Sequence, residues 1–385
     1  MDNTEKKCYT VAVWMAIPFI WDNHSKFSKE EGIKMQKNRV LYLDLIRVVC
    51  FLMVTSFHFA FTVKECSIKA AVDFYQGILE IGWGAIAVSC FFMVSGAALI
   101  YRYRDNFSLK DFYKKRFFGL YPLFWLAYLF VFLEFFYRFK TMPEAPKINF
   151  LLSIIGLDGY FNERIPTFYL IGEWFLGALL LLYLLFPLYR LVMRKCKYIL
   201  PVVFLIAGII LINYNPFPLD IDQNPIMCSM SFVLGMLIEM LRESPRRTSQ
   251  IGRRIAAAAG VLLFVIVFIL DRVGYLYQFN PYYLRFALPI ALYLILMEAA
   301  EWVRSERTKN LIATIGKHSY AYFLIHHVFL QRYIQHFSGV AMSGSNTLLL
   351  FVSSVAYIYA LAVGLDKIYA ALVRWFRNWR DIGKT

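Results

Sequence analysis

The chain is poor in charge: 17% of its 385 residues are Asp, Glu, Lys or Arg, where a soluble domain carries about a quarter. Gly/Ser-rich linkers and a convincing internal repeat are also missing, and no soluble domain is expected at either end. The expectation is therefore a single membrane domain over residues 39–372, with a cytoplasmic or interfacial extension at 1–38 and a basic cytoplasmic tail at 373–385. Cysteine is scarce, with six residues and neither a CxxC pair nor metal-ligand spacing, so no metal is expected. Only Cys66 and Cys228 fall near the expected outer face, which leaves a disulfide open to that pair alone, and small apolar packing residues are the favoured reading of all six. The stretch from Val11 to Trp21 is short, is interrupted by Pro18 and precedes no small-residue cleavage site. It makes a poor signal peptide, and a start at Met35 stays open.

What the chain has in excess is apolar surface: 59% hydrophobic and 18% aromatic residues, with a mean hydropathy of +0.53. About ten apolar runs approach the ~20 residues that cross a bilayer core, at residues 41–62, 77–100, 117–138, 168–190, 198–214, 225–241, 254–271, 283–301, 312–335 and 346–370. A further run, Ile148 to Leu157, is too short to span and is expected to be interfacial or re-entrant. Strand alternation is absent, so the expected fold is all-α, a polytopic protein of the cell membrane. The net charge of +15 would suggest nucleic acid in a soluble protein. Here the basic residues collect in alternate loops, such as Arg102 to Arg116 and Arg242 to Arg254, while other loops are neutral or acidic, as at Asp220 and Asp222. That is the positive-inside pattern with both termini cytoplasmic, and it leaves no nucleic-acid partner to invoke.

Ionisable residues inside spans are costly and usually face a polar cavity or a partner. The first run carries three: Asp44, Arg47 and His58. Arg47 and His58 are eleven residues apart, about three helical turns and ~16 Å along one face, and Asp44 lies one turn below Arg47, where it can pair with it. Of this set only His58 titrates near neutral pH.

Arg47 with His58, the run Phe91-Phe92-Met93-Val94-Ser95-Gly96, the run Phe112 to Pro122, Trp174-Phe175-Leu176 leading to Tyr183 and Pro187, and Ser319-Tyr320 followed by Leu324-Ile325-His326 together resemble the integral-membrane acyltransferase-3 family over roughly residues 40–370. The family's second arginine at the start of the third span is Gly119 here, and its Ser-Gly-Phe is Ser95-Gly96-Ala97.

The resemblance implies transfer of an acyl group, most often acetyl, from acetyl-CoA or another acyl-CoA to a hydroxyl of a cell-envelope carbohydrate or lipid-linked glycan. His58 would serve as base or nucleophile. Glu173, whose carry-over rests on an ambiguous alignment, would be its orienting carboxylate. Arg47, Arg116 and Lys115 would meet the donor's phosphates at the inner face. Asp44, Ser95, Tyr320 and His326 would line the site. His326 and the adjacent His327 point ~100° apart, so they are not expected to face one site together. Membrane lipid is the surrounding partner, and a transporter or flippase of an envelope precursor is the competing reading.

Overall fold

A computed structural model of the chain describes residues 40–70, 82–141, 144–217, 219–243, 250–278 and 280–382. Its helices are α1 (Leu41–Glu65), α2 (Trp83–Arg102), α3 (Leu109–Phe139), the short α4 (Phe150–Ile155) and α5 (Asp158–Phe161), α6 (Glu173–Lys195), α7 (Ile199–Asn213), α8 (Pro225–Arg242), α9 (Gln250–Arg272), α10 (Pro281–Trp302), α11 (Glu306–Lys317), α12 (Ser319–Gln335) and α13 (Gly344–Ile382). Eight of these are long and apolar enough to cross a membrane: α1, α2, α3, α6, α8, α9, α10 and α13. The fifth and ninth expected spans correspond to the shorter helices α7 and α12.

Local sequence explains the helix starts. Asn224 and Asn280 each precede a proline at the first helical position, and each side chain accepts from the amide two residues on, Ile226 N at 3.0 Å and Tyr282 N at 3.1 Å. An asparagine cap satisfies a free N–H, and the proline sits where no N–H is needed. Ser108 caps α3 by accepting from Asp111 N, which starts that helix eight residues before the expected apolar run and puts Lys114, Lys115 and Arg116 inside it. The run near Ile148 forms a 3-10 turn (Lys147–Asn149) and the short α4, which Gly156 in the left-handed region separates from α5. Trp125 Nε1 and Tyr121 Oη donate to the Ile154 and Ile155 carbonyls and hold this piece against α3. The expected 312–335 span is broken at His318, where a polar α11 gives way to α12. Ser319 Oγ donates to the Gly316 carbonyl at the break.

Two helix pairs fix the frame. Helices α2 and α8 approach so closely that a Cβ at Gly96 would lie 2.0 Å from the Phe232 carbonyl oxygen, and one at Gly235 2.0 Å from that of Met93. Small residues let backbones touch in this way where lipid provides no hydrophobic drive between helices. At the C-terminal ends of the same two helices Arg104 pairs with Glu243 at 2.8 Å, so they run parallel. The second pair is α1 with α12. Asp44 near the start of α1 touches Gly316 just before α12, and the segments following the two helices form a parallel ladder between β1 (Lys69–Ala70) and β2 (Ala341–Met342). These two helices also run in one direction.

The three largest of the buried clusters form most of the interior. One joins α1, α3, α12 and α13 around Phe59, Phe124, Leu330 and Ile358. A second joins α2, α6 and α8 around Phe92, Phe186 and Phe232, and a third joins α1, α2 and α10 around Ile46, Cys90 and Tyr293. Phe91 packs against all three. Large apolar side chains on α7 and α9, such as Ile206, Ile210, Leu262 and Ile269, stay exposed, as expected of a surface whose solvent is lipid. Cys66 and Cys228 are both free, and Cys228 Sγ donates to the Asp222 carbonyl, so the pairing left open by the sequence is not made.

Candidate active site

Helices α1 and α12 meet at His58. Its ring lies 5.1 Å, centroid to centroid, from that of His326 and 4.8 Å from that of His327. The expectation that adjacency keeps those two histidines from sharing a site is corrected here: His58 of α1 sits in the groove between them, and two side chains ~100° apart on one helix can flank a third that points at the helix from outside. One turn further in, the Tyr322 and Thr55 hydroxyls bond at 2.9 Å, and Thr55 Oγ1 also donates to the Phe51 carbonyl. The Tyr322 ring stacks on His326, with centroids 6.0 Å apart and planes 15° from parallel.

His326 is only 1% exposed, and its Nδ1 lies 2.7 Å from the Phe323 carbonyl oxygen. A carbonyl only accepts, so Nδ1 carries the proton and Nε2 of the neutral ring carries the lone pair. Phe323 in turn meets Phe175 of α6, which lies against Phe91 and Phe92 of α2. The start of α6 therefore reaches the helix that carries His326. Glu173 is the first residue of α6, after Gly172 at φ 97°. Its side chain lies outside the described residues.

The expected phosphate-binding cations fall into two groups. Arg47 pairs with Asp44 at 2.8 Å as the spacing suggested; Asp44 is buried, while Arg47 keeps about a quarter of its side chain exposed. On α3 the Arg116 guanidinium lies over the Tyr183 ring at 5.7 Å, with a buried Nε that has no hydrogen-bond partner among the described residues. Tyr320 Oη donates to the Leu120 carbonyl one turn above Arg116, and Tyr113 Oη to the Leu184 carbonyl. Arg116, Tyr183 and Tyr320 thus gather at the junction of α3, α6 and α12. Lys115 is half-buried on α3 and Ser95 half-buried on α2 beside Gly96.

Several polar groups were not singled out by the sequence or had no role there. Glu239 is 1% exposed, accepts from Tyr42 Oη, and pairs with Arg242 at 2.7 Å. An acidic residue one turn before the basic end of an apolar run was the available signal. Glu298 faces Arg253 and Arg254, Glu134 faces Arg332, and Arg285 pairs with Asp222 at 2.5 Å. Arg190, at the basic end of α6, is buried, donating to the Tyr103 and Arg104 carbonyls beyond α2 with its guanidinium 4.6 Å from the Phe107 ring. Asp158 on α5 is 1% exposed, and burial, only partly offset by Ser153 and the Gly159 amide, pushes its carboxyl up to about 6. Among the described residues no three His, Cys, Asp or Glu side chains are grouped to hold a metal ion.

The sequence model of the family described as Acyltransferase domain matches residues 40–367. No curated protein matches the chain, and no solved structure matches it. The family match covers the helices that carry His58, Arg116 and His326 alike, and with it the chain belongs to the acyltransferase-3 family of membrane acyltransferases.

Proposed function

We propose that the protein is an O-acyltransferase that moves an acyl group, acetyl in the first instance, from acyl-CoA on the cytoplasmic side to a hydroxyl of a cell-envelope carbohydrate, free or lipid-linked. The observation that carries this reading is His58, a titratable group in the membrane interior, at the meeting of α1 and α12 with two further imidazoles against it. An imidazole is suited to take a hydroxyl proton at neutral pH. As the acceptor oxygen attacks the thioester carbonyl, His58 receives its proton. The C–S bond breaks, and the proton ends on the departing thiolate. Arg47, oriented by Asp44, and Arg116 with Lys115 would hold the donor's phosphates, Arg by paired N–H groups. Tyr183 beneath Arg116 keeps that guanidinium from swinging away. Glu173 would orient His58, with Ser95, Tyr320 and His326 lining the path.

In this reading the chain crosses the membrane ten times, with both termini cytoplasmic. The parallel course of α2 and α8 supports it, because an even number of reversals between them requires the short α7 to cross.

The test is transfer of labelled acetyl from acetyl-CoA to envelope glycan by the purified protein in lipid vesicles. His58→Ala and His58→Gln should both lose ~10²–10⁴-fold in rate while inserting normally and still binding acyl-CoA. An active His58→Gln protein would remove His58 from the chemistry. Glycan crossing the vesicle membrane without acquiring acetyl would replace the enzyme with a transporter.

A further inference from the structure

We propose that His326 and His58 form a proton-sharing pair, in which the hydroxyl proton taken up by His58 is passed to His326 and held there until the thiolate leaves. The proposal rests on the acyltransferase reading above and deepens it.

Three observations carry it. The first is distance: the two rings lie 5.1 Å apart, centroid to centroid, close enough for a proton to pass between them through one water. The second is the fixed tautomer of His326. Its Nδ1–H is committed to the Phe323 carbonyl, so in the neutral ring Nε2 is the one atom able to receive a proton. Stacking on Tyr322, itself tied to Thr55, holds the ring plane. The third is burial. At 1% exposure, His326 exchanges protons through its neighbours and not with bulk water.

Two imidazoles this close resist carrying two charges, so they titrate as a coupled pair that readily takes one proton and resists the second. The balance over one turnover is closed. The acceptor O–H loses its proton to His58, His58 passes it to His326, the acyl carbon exchanges its C–S bond for a C–O bond, and the thiolate takes the proton. Neither histidine changes state overall. The titratable groups against the pair are His327 and Tyr322 from α12. From α6 the ring of Phe175 reaches Phe323, which lies against His326 on α12, and the Glu173 side chain lies outside the described residues. His326 acts on the reaction through His58 and is a positioning residue in that sense.

Two variants separate proton holding from architecture. In His326→Asn the amide nitrogen stands near the place of Nδ1 and keeps the bond to the Phe323 carbonyl, but nothing replaces Nε2. In His326→Gln the amide stands near Nε2 and the carbonyl bond is lost.

The expected result for His326→Asn is an unchanged melting temperature, an unchanged KM for acetyl-CoA, and a kcat lower by ~10²-fold. The acid limb of its pH–rate profile should move to lower pH, because a lone imidazole takes up its first proton less readily than the pair does. His326→Asn with wild-type kcat and an unmoved acid limb would overturn the pair and leave His326 as a helix-packing residue, more so if only His326→Gln were impaired.

A second readout needs no turnover. In protein labelled with ¹⁵N at histidine, the His58 ring should titrate in two coupled steps in the wild type and in one step in His326→Asn. A single step in both would sink the proposal. Coupled steps in a protein that transfers no acyl group would keep the pair and sink the acyltransferase reading. Inactive His58→Gln beside fully active His326→Asn would do the reverse.

Discussion

The contact between α2 and α8 offers the sharpest test of the architecture. Adding one methyl group in Gly96→Ala puts a Cβ 2.0 Å from the Phe232 carbonyl oxygen, whereas ordinary contact begins near 3.4 Å. The obstacle is helix backbone, which cannot rotate aside as a side chain would, so the two helices must separate by roughly the missing 1.4 Å. Overpacking a close-packed interior costs about 1–3 kcal/mol, and the value here belongs at the top of that range, because a rigid separation also loosens Phe92, Phe186 and Phe232 around the contact. Gly235→Ala meets the Met93 carbonyl at the same 2.0 Å and should cost as much. The double variant should cost little more than either single one, since the displacement that relieves the first methyl makes room for the second. Gly119→Ala is the control: a Cβ there meets nothing within 4 Å. The assay is reversible unfolding in mixed detergent micelles, followed by tryptophan fluorescence. A Gly96→Ala protein within about 0.5 kcal/mol of wild type, or a double variant that costs the plain sum, would refute the backbone contact.

Arg116→Ala should raise KM for acetyl-CoA by an amount corresponding to a lost charged hydrogen bond, about 1.5–3 kcal/mol, with Arg116→Lys recovering only part; unchanged donor dependence would move the phosphate site elsewhere. Gly119→Arg has open space and restores the family's second cation, so it should insert normally and lower that KM, and an unaltered KM would separate position 119 from the donor. Asp158 has a folded-state carboxyl raised from 3.8 to about 6, so its stabilising contribution is complete below pH ~4 and is lost as pH rises through ~6. At 1.36 kcal/mol per unit, Asp158→Asn should gain up to about 3 kcal/mol on the wild type between those limits, and a pH-independent difference in micelle unfolding would contradict that. Reporters at Lys34 and after Thr385 should be cytoplasmic and one at Asp220 external; a cytoplasmic signal at Asp220 would break the ten-span reading.

The spanning helices were legible because lipid imposes a length and a composition that no packing detail can override. The pairing of Asp44 with Arg47 was equally legible, since helical spacing alone places them. What escaped was set by tertiary neighbours. Helix α6 starts at Glu173 although apolar residues begin five positions earlier, because Gly172 takes a left-handed conformation with Leu176 and Phe124 around it. The ninth span divides at His318, whose Nδ1 meets Asp366 of α13 at 2.5 Å, a partner 48 residues away. His327 was discounted on the geometry of its own helix. The position of α1 in the groove between it and His326 is a fact about two helices, invisible in the periodicity of one. Glu239 sat in plain view, but its partner Tyr42 lies 197 residues away.

The parallel ladder between Lys69–Ala70 and Ala341–Met342 bears on how the molecule admits its substrates. It fastens the exits of α1 and α12 to each other through backbone, while the Thr55–Tyr322 bond fastens the same helices at mid-length, off their axes. Two such fasteners remove both sliding and swivelling between them, so the seam that carries the histidines is a fixed jaw. The wall facing it is made of rings, Phe91 of α2 against Phe175 of α6, which meets Phe323 of α12, all without hydrogen bonds between them. Rings can turn at little enthalpic cost, whereas α2 itself is held by its backbone contact with α8, so adjustment on that side falls to side chains and not to helices.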